Sequence, residues 1–105
     1  MRSMSPLEAF LHVLCKYLRD RGVMVLSLAS TAGQRRLMVS LYGLWRRHRY
    51  WETGYRRLSD ILEEITKNEE FLEPLKRIGV EEIVAGEDEP YIVIDIEKIR
   101  RSLKC

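Results

Sequence analysis

The sequence is poor in the residues from which most covalent and metal-bound sites are built. It holds two cysteines and two histidines among 105 residues, too few for a disulfide framework. Neither Cys15 nor Cys105 has a second cysteine or a histidine at metal-ligand spacing, so we expect no metal ion and no cofactor. Cys15 falls on the expected first helix, where a small buried thiol is the simplest interpretation. For Cys105 we consider two alternatives, a free thiol and an intermolecular crosslink.

Long apolar runs and side-chain amides are also scarce. No stretch approaches the roughly 20 apolar residues of a membrane-spanning helix, and the N-terminus leads into an amphipathic pattern rather than a signal segment. We therefore expect a cytoplasmic protein with no membrane partner. Gln34 and Asn68 are the only amides, while arginine and glutamate dominate the polar positions. This bias is typical of proteins from hot environments and predicts a thermophile.

The composition indicates one globular α+β domain over residues 1–105. Hydrophobic residues make up 46% and charged residues 32% of the chain, which is typical of folded rather than disordered proteins. A chain of this length is enough for one core, whereas two domains would each bury little apolar surface.

Caps and apolar periodicity predict the elements. Ser5, Pro6 and Glu8 form a helix start with a capping box, and Gly22 provides a stop. Apolar residues at helical spacing, or β-rich runs on either side of a turn, indicate the rest. The short apolar run at 23–28 fits either a buried strand, which we favour, or a buried helical turn. The predicted elements are helices at 5–21, 35–48, 54–67, 69–78 (short) and 97–103, and an antiparallel hairpin at 80–96.

The charges are strongly segregated along the chain. Residues 35–57 hold seven arginines and one acid, Glu52, for a net charge of +6, whereas residues 58–97 carry a net charge of −10. The near-neutral total of +2 therefore conceals a basic and an acidic region. Such polarity favours binding to a charged partner.

The segment 46–57 is the best candidate for a binding site, because it places five arginines and three large aromatics in twelve residues. Guanidinium groups pair with phosphates, and exposed aromatics stack on unpaired bases. Trp45 and Tyr55 fall on apolar stripes and are expected in the core. The alternative is that these arginines pair with the acidic half of the same fold. The predicted nucleic-acid contacts are Arg46, Arg47, Arg49, Tyr50, Trp51, Arg56 and Arg57.

Catalytic groupings are not evident. Asp60, Glu63 and Glu64 bring carboxylates together on one helix, but no histidine, serine or cysteine is placed to complete a recognisable site. His12 lies off the apolar stripe of the first helix and is expected to be solvated and without a partner. We therefore expect no enzymatic activity and no small-molecule ligand.

The segment Leu58-Ser59-Asp60-Ile61-Leu62-Glu63-Glu64-Ile65 resembles the second helix of the winged helix-turn-helix superfamily, in particular of its small archaeal DNA-binding members. The segment Leu75-Lys76-Arg77-Ile78-Gly79-Val80 resembles the end of their recognition helix and the start of the wing. With the hairpin, the resemblance covers about residues 35–96. It implies a mainly helical winged-helix-like domain with an extra N-terminal helix and a C-terminal hairpin.

A second alignment is also open. Arg56-Arg57-Leu58-Ser59-Asp60-Ile61 resembles the recognition helix in the winged-helix domain of archaeal origin-recognition initiators. This resemblance would place Tyr55, Arg56, Arg57 and Ser59 at the end of the helix that contacts DNA.

In the first alignment the recognition helix begins with Asn68-Glu69-Glu70, and in both the wing tip is Glu87-Asp88-Glu89. These acids would repel phosphates, so we expect DNA to bind at the arginine-aromatic segment instead. The leading hypothesis is a DNA-binding transcriptional or chromatin-associated factor, with a homodimer plausible because such proteins commonly bind two half-sites. The alternative is a winged-helix-like protein-interaction module, a subunit of a larger complex.

Overall fold

The computed structural model describes residues 4–22, 27, 31–85 and 88–103. Within these residues the chain forms helices on one antiparallel sheet, so the expected α+β class is confirmed. A π-helical turn, Leu18–Gly22, follows the first helix, and a 3-10 turn, Glu69–Phe71, precedes the fifth. The elements in chain order are α1 Pro6–Tyr17, β1 Arg36–Ser40, α2 Leu41–Trp45, α3 Tyr50–Thr53, α4 Leu58–Lys67, α5 Leu72–Ile78, β2 Val80–Val84, β3 Tyr91–Asp95 and α6 Ile96–Ser102.

Helix α1 begins as its sequence predicts. The Ser5 hydroxyl accepts a hydrogen bond from the Glu8 N–H at 3.2 Å and donates one to the Glu8 carboxylate at 3.1 Å. Pro6 occupies the first turn, where no intrahelical N–H is needed. On the apolar side of the helix, Phe10 and Leu14 are fully buried, Leu7 and Leu11 are partly buried, and the helix packs against α4.

The helix predicted over 35–48 is wrong in its first half. Arg36–Ser40 is strand β1, which pairs antiparallel with β3, and Val39 is buried while Met38 is 63% exposed. The backbone groups on one side of β1 pair with β3, which is more than fifty residues away along the chain, and this tertiary pairing overrides the helical spacing of the leucines. The helix starts only at Leu41, where the Ser40 hydroxyl accepts the Tyr42 N–H at 3.2 Å.

The hairpin predicted over 80–96 is confirmed as β2 and β3, and β1 adds a third strand on the other side of β3. Buried Ile92 and Ile94 on the central strand face the core. The strand expected at 23–28 lies outside the described residues apart from Ser27, as do residues 86 and 87 of the hairpin turn.

The two helices before the hairpin also follow the pattern with adjusted starts. The helix predicted over 54–67 begins only at Leu58, because Gly54, with a φ of 83°, ends α3 and the chain then runs extended. The short helix predicted over 69–78 is the 3-10 turn followed by α5. Pro74 lies in the first turn of α5, where its missing N–H costs little. After Gly79, helix α5 is followed by strand β2.

The junction between α5 and β2 depends on Gly79. Its φ of 125° is unfavourable for other residues, and a Cβ there would lie 2.9 Å from the backbone nitrogen of Ile99. Next to it, buried Asp95 caps α6 by accepting the Lys98 N–H at 3.0 Å, and this hydrogen bond lowers the pKa of the Asp95 carboxyl.

Three further observations concern single residues and the membrane expectation. Cys15 is half-buried and disulfide-bonded, so the interpretation as a buried thiol is wrong; Cys105 lies outside the described residues. Tyr55 packs against the core as predicted. In the described part of the chain, no helix combines the length and apolar character needed to cross a membrane.

Candidate nucleic-acid interface

An open groove of about 750 Å³ lies where α2, α3, the start of α4 and the turn end of the β2–β3 hairpin meet. Its apolar lining includes Leu41, Leu58, Leu62 and Pro90. The groove brings together six of the seven contact residues predicted from the sequence: Arg46, Arg49, Tyr50, Trp51, Arg56 and Arg57. Tyr42, Trp45 and His48 are further lining residues. We call this the arginine-aromatic groove.

Four large aromatic side chains of the groove are exposed to solvent. Tyr42, Trp45, Tyr50 and Trp51 are between 53% and 62% exposed. The Tyr50 and Trp51 rings pack edge to face, with centroids 5.2 Å apart and planes at 82°. A cluster of large, exposed aromatic side chains on one side of a small protein is typical of binding sites.

The prediction that Trp45 belongs to the core is wrong. Helix α2 has only five residues, and Leu41 and Leu44 form its buried side. Trp45 follows Leu44 by one residue, a rotation of about 100° around the helix, so its indole faces the groove. Both tryptophans of the chain, Trp45 and Trp51, therefore line the same groove.

The arginines of the groove are not neutralised by the acidic half of the molecule. Arg46, Arg56 and Arg57 are exposed, and no carboxylate among the described residues forms an ion pair with any of them. The glutamates expected as partners pair along their own helices instead: Glu63 lies 2.8 Å from Lys67, and Glu73 lies 4.0 Å from Arg77. The guanidinium groups of the groove are thus available to an external anion.

Arg49 contacts the backbone of the turn between α2 and α3, which forms a corner of the structure. One of its terminal nitrogens, Nη1, donates to the carbonyl oxygens of Arg46 at 2.8 Å and His48 at 2.9 Å. These bonds hold the guanidinium group over the end of α2 and use one of its nitrogens. Its remaining donors stay available at an exposed position.

Arg47 is separated from the other arginines by its contacts. Its Nε donates to Asp20 at 3.1 Å, its Nη1 donates to the Gly43 carbonyl oxygen at 2.7 Å, and its guanidinium carbon lies 5.0 Å from the centroid of the Tyr17 ring. The side chain is only 15% exposed. Arg47 therefore connects α2 to the end of α1 and does not line the groove.

A buried threonine holds the turn between α2 and α4. The Thr53 hydroxyl accepts the Tyr55 N–H at 3.2 Å and lies 2.8 Å from His48 Nε2. Burial lowers the pKa of His48, and the charge of Arg49 adds to this effect, so the imidazole is neutral at physiological pH. The Thr53 carbonyl oxygen also accepts the Met4 N–H at 3.3 Å. The groove is thus built on an ordered corner.

Glu52 connects the same corner to α1. Its carboxylate accepts a hydrogen bond from Lys16 Nζ at 2.7 Å and lies 3.3 Å from His12 Nε2. The lysine is the main reason that the pKa of Glu52 is lowered. The prediction that His12 has no partner is therefore wrong. Nothing local in the sequence signals this contact, because the partners are 36 and 40 residues apart.

Two other surfaces of the described part of the chain are acidic. Asp88 and Glu89 are exposed at the turn end of the hairpin, where they line a second shallow groove with Met38 and Tyr91. The start of the α5 region presents exposed Glu69, Glu70 and Glu73. An anion is therefore favoured at the arginine-aromatic groove and disfavoured on these two acidic surfaces.

Comparisons of this chain with protein-family models, with curated proteins and with solved structures find no match.

Proposed function

We propose that the protein binds DNA through the arginine-aromatic groove and acts as a transcriptional or chromatin-associated factor. The observation that carries the proposal is the set of arginines around the groove, of which Arg46, Arg56 and Arg57 pair with no carboxylate in the described part of the chain. Guanidinium groups bind phosphate through paired hydrogen bonds, and such contacts provide most of the sequence-independent affinity for DNA.

The order of the elements supports a winged-helix-like interpretation. Helices α4 and α5 are followed directly by the β2–β3 hairpin, which is the order expected of a helix-turn-helix with a wing. Because α5 lies between α4 and the hairpin, this order favours the first of the two alignments, with α5 in the position of the recognition helix.

Charge nevertheless favours the groove over α5 as the contact surface. The α5 region begins with three exposed glutamates, Glu69, Glu70 and Glu73, and its Arg77 lies within 4.0 Å of Glu73. A helix start of this charge repels phosphates, whereas the groove offers arginines without acidic partners. In this proposal α5 is not the helix that contacts the bases.

Salt dependence tests the proposal. Fluorescence anisotropy with labelled mixed-sequence duplex and single-stranded DNA, at about 50 and 200 mM salt, measures how many phosphates are neutralised. Four arginine contacts predict a slope of log K against log salt of about −2.8 to −3.6, and Arg56→Ala with Arg57→Ala reduces its magnitude by about 1.4 to 1.8. Arg101→Ala is the matched control, because Arg101 is an exposed arginine on α6, paired with Glu97, that does not line the groove.

Two results would contradict the proposal. One is the absence of binding to either DNA at low salt with a folded protein. The other is binding that Arg46→Ala, Arg56→Ala and Arg57→Ala together leave unchanged. Either result would favour the alternative hypothesis, in which the groove docks a protein partner.

A further inference from the structure

We infer that the arginine-aromatic groove takes unpaired bases, so that its preferred ligand is single-stranded or locally melted DNA. This inference rests on the proposed function and specifies its substrate. The observation behind it is the clustering of Tyr42, Trp45, Tyr50 and Trp51 around one open groove, each more than half exposed.

Exposed aromatic rings discriminate between the two forms of DNA. In a duplex each base is covered on both faces by its neighbours, and only the base edges and the backbone are accessible to protein. In a single strand the base faces are free, and stacking on an aromatic side chain raises the affinity by about 5- to 150-fold per base. The four exposed rings can therefore stabilise a single strand in a way that an intact duplex does not allow.

The alternation of side chains along the corner matches a single strand. Aromatic and arginine residues follow one another as Trp45-Arg46, Arg49-Tyr50-Trp51 and Tyr55-Arg56-Arg57, and all of these except Tyr55 line the groove. A single strand likewise presents a base and a phosphate in each nucleotide. The arrangement thus offers stacking surfaces and cationic groups at neighbouring positions, as in proteins that bind single strands without sequence preference.

The acidic hairpin limits where the strand can run. Asp88 and Glu89 lie beyond Pro90, which marks one wall of the groove, and they repel phosphates. The strand therefore lies on the side of Arg46, Arg49 and Arg56, away from the hairpin tip. The same acids disfavour an acidic polypeptide at that end of the groove. An acidic polypeptide also has no bases to stack on the aromatic rings.

Tryptophan fluorescence reports directly on this groove, because the chain has two tryptophans and both line it. The full-length protein is titrated at low salt with an oligothymidylate and with a blunt duplex of equal length. We expect the single strand to quench the fluorescence and to bind at least about tenfold more tightly than the duplex, since one stacked base suffices for such a ratio.

Substitutions at the tryptophans separate stacking from general hydrophobic contact. Trp45→Leu and Trp51→Leu keep an apolar side chain but remove the aromatic face, and each is expected to weaken oligothymidylate binding by about 5- to 150-fold. Trp45→Phe and Trp51→Phe keep an aromatic face and are expected to retain most of the affinity. Met38→Ala is the control, because Met38 is 63% exposed and lies outside the groove. Thermal melts by circular dichroism establish that each variant is folded.

The outcomes distinguish this inference from the proposed function. The inference is overturned and the proposed function stands if the duplex binds as tightly as the single strand, if its binding depends on the arginines, and if it does not quench the tryptophan fluorescence. If neither DNA binds at low salt, the proposed function itself fails. If polyglutamate quenches the tryptophans and competes as well as the oligothymidylate, the groove selects acidic polypeptide and the inference is overturned. Equal losses for the leucine and phenylalanine variants would also contradict stacking.

Discussion

Arg46 and Arg47 are neighbours in the sequence, yet we expect their substitution by alanine to have opposite effects. Arg47→Ala should destabilise the fold and change DNA affinity little, whereas Arg46→Ala should weaken DNA binding and change stability little. The reason is that Arg47 is 15% exposed and contacts three groups of the protein, while Arg46 is exposed at the groove and pairs with no described carboxylate.

The magnitude for Arg47→Ala follows from its contacts. The 2.7 Å hydrogen bond to the Gly43 carbonyl oxygen has a charged donor and is largely shielded from water, which is worth about 1.5–3 kcal/mol. The contact with the Tyr17 ring adds about 0.5–1 kcal/mol. Asp20 is 59% exposed, so its ion pair adds at most about 1 kcal/mol. Because such terms are not additive, we expect a total loss of about 2–3 kcal/mol.

Urea denaturation followed by far-UV circular dichroism measures this loss, and the corresponding fall in Tm is about 10 °C or more for a domain of this size. Asp20→Asn is the matched control, because it removes only the exposed ion pair and should cost no more than about 1 kcal/mol. In the anisotropy assay, Arg46→Ala should lower the magnitude of the salt slope by about 0.7–0.9, and Arg47→Ala should leave it nearly unchanged.

A structural role for Arg47 is contradicted if Arg47→Ala costs less than about 0.5 kcal/mol, the range of ordinary surface substitutions. The contrast between the two arginines is contradicted if Arg46→Ala destabilises the fold as strongly as Arg47→Ala does. A salt slope reduced equally by both variants would place Arg47 at the DNA after all.

Three further predictions concern the stability of the fold. Gly79→Ala should lower the free energy of unfolding by about 2–4 kcal/mol, because the φ of 125° is unfavourable for alanine and the new Cβ would lie 2.9 Å from the Ile99 nitrogen. In the same denaturation assay Gly33→Ala is the control and should cost only about 1 kcal/mol, because Gly33 has a φ of 77° and no atom within 4 Å of the added Cβ. Equal losses for the two variants would contradict a steric clash at Gly79. Asp95→Ala, which removes the side-chain cap of α6, should lower the free energy of unfolding at pH 7. The folded-state pKa of Asp95 is lowered from its ordinary value of 3.8, so the stability it contributes is present above about pH 4 and is lost as the pH falls through the lowered value. The difference from the wild type should therefore narrow in urea titrations at acidic pH, and a constant difference would rule out the carboxylate as its source. Glu52→Gln should cost about 0.5–1 kcal/mol through its ion pair with α1, with a loss that shrinks at high salt; a salt-independent loss would point to packing instead.

The parts of this protein that could be predicted from its sequence are those specified within a few residues. The Ser5 cap of α1, the apolar stripe of α4 and the β2–β3 hairpin are each encoded by neighbouring side chains, and each lies close to its predicted position. The candidate site was visible for the same reason, since arginines and aromatics concentrated in one short segment remain together in any fold. Six of the seven predicted contacts accordingly line one groove.

The remaining features depend on partners far away along the chain. Arg36–Ser40 is a strand because β3 pairs with it, and Arg47 is a structural residue because Asp20, 27 residues earlier, lies beside it. Trp45 is exposed because α2 ends after five residues, too early for the apolar stripe read from the sequence to continue. Local pattern therefore determines which residues are available for binding, whereas long-range packing selects which of them face solvent, because burial is a property of the assembled core.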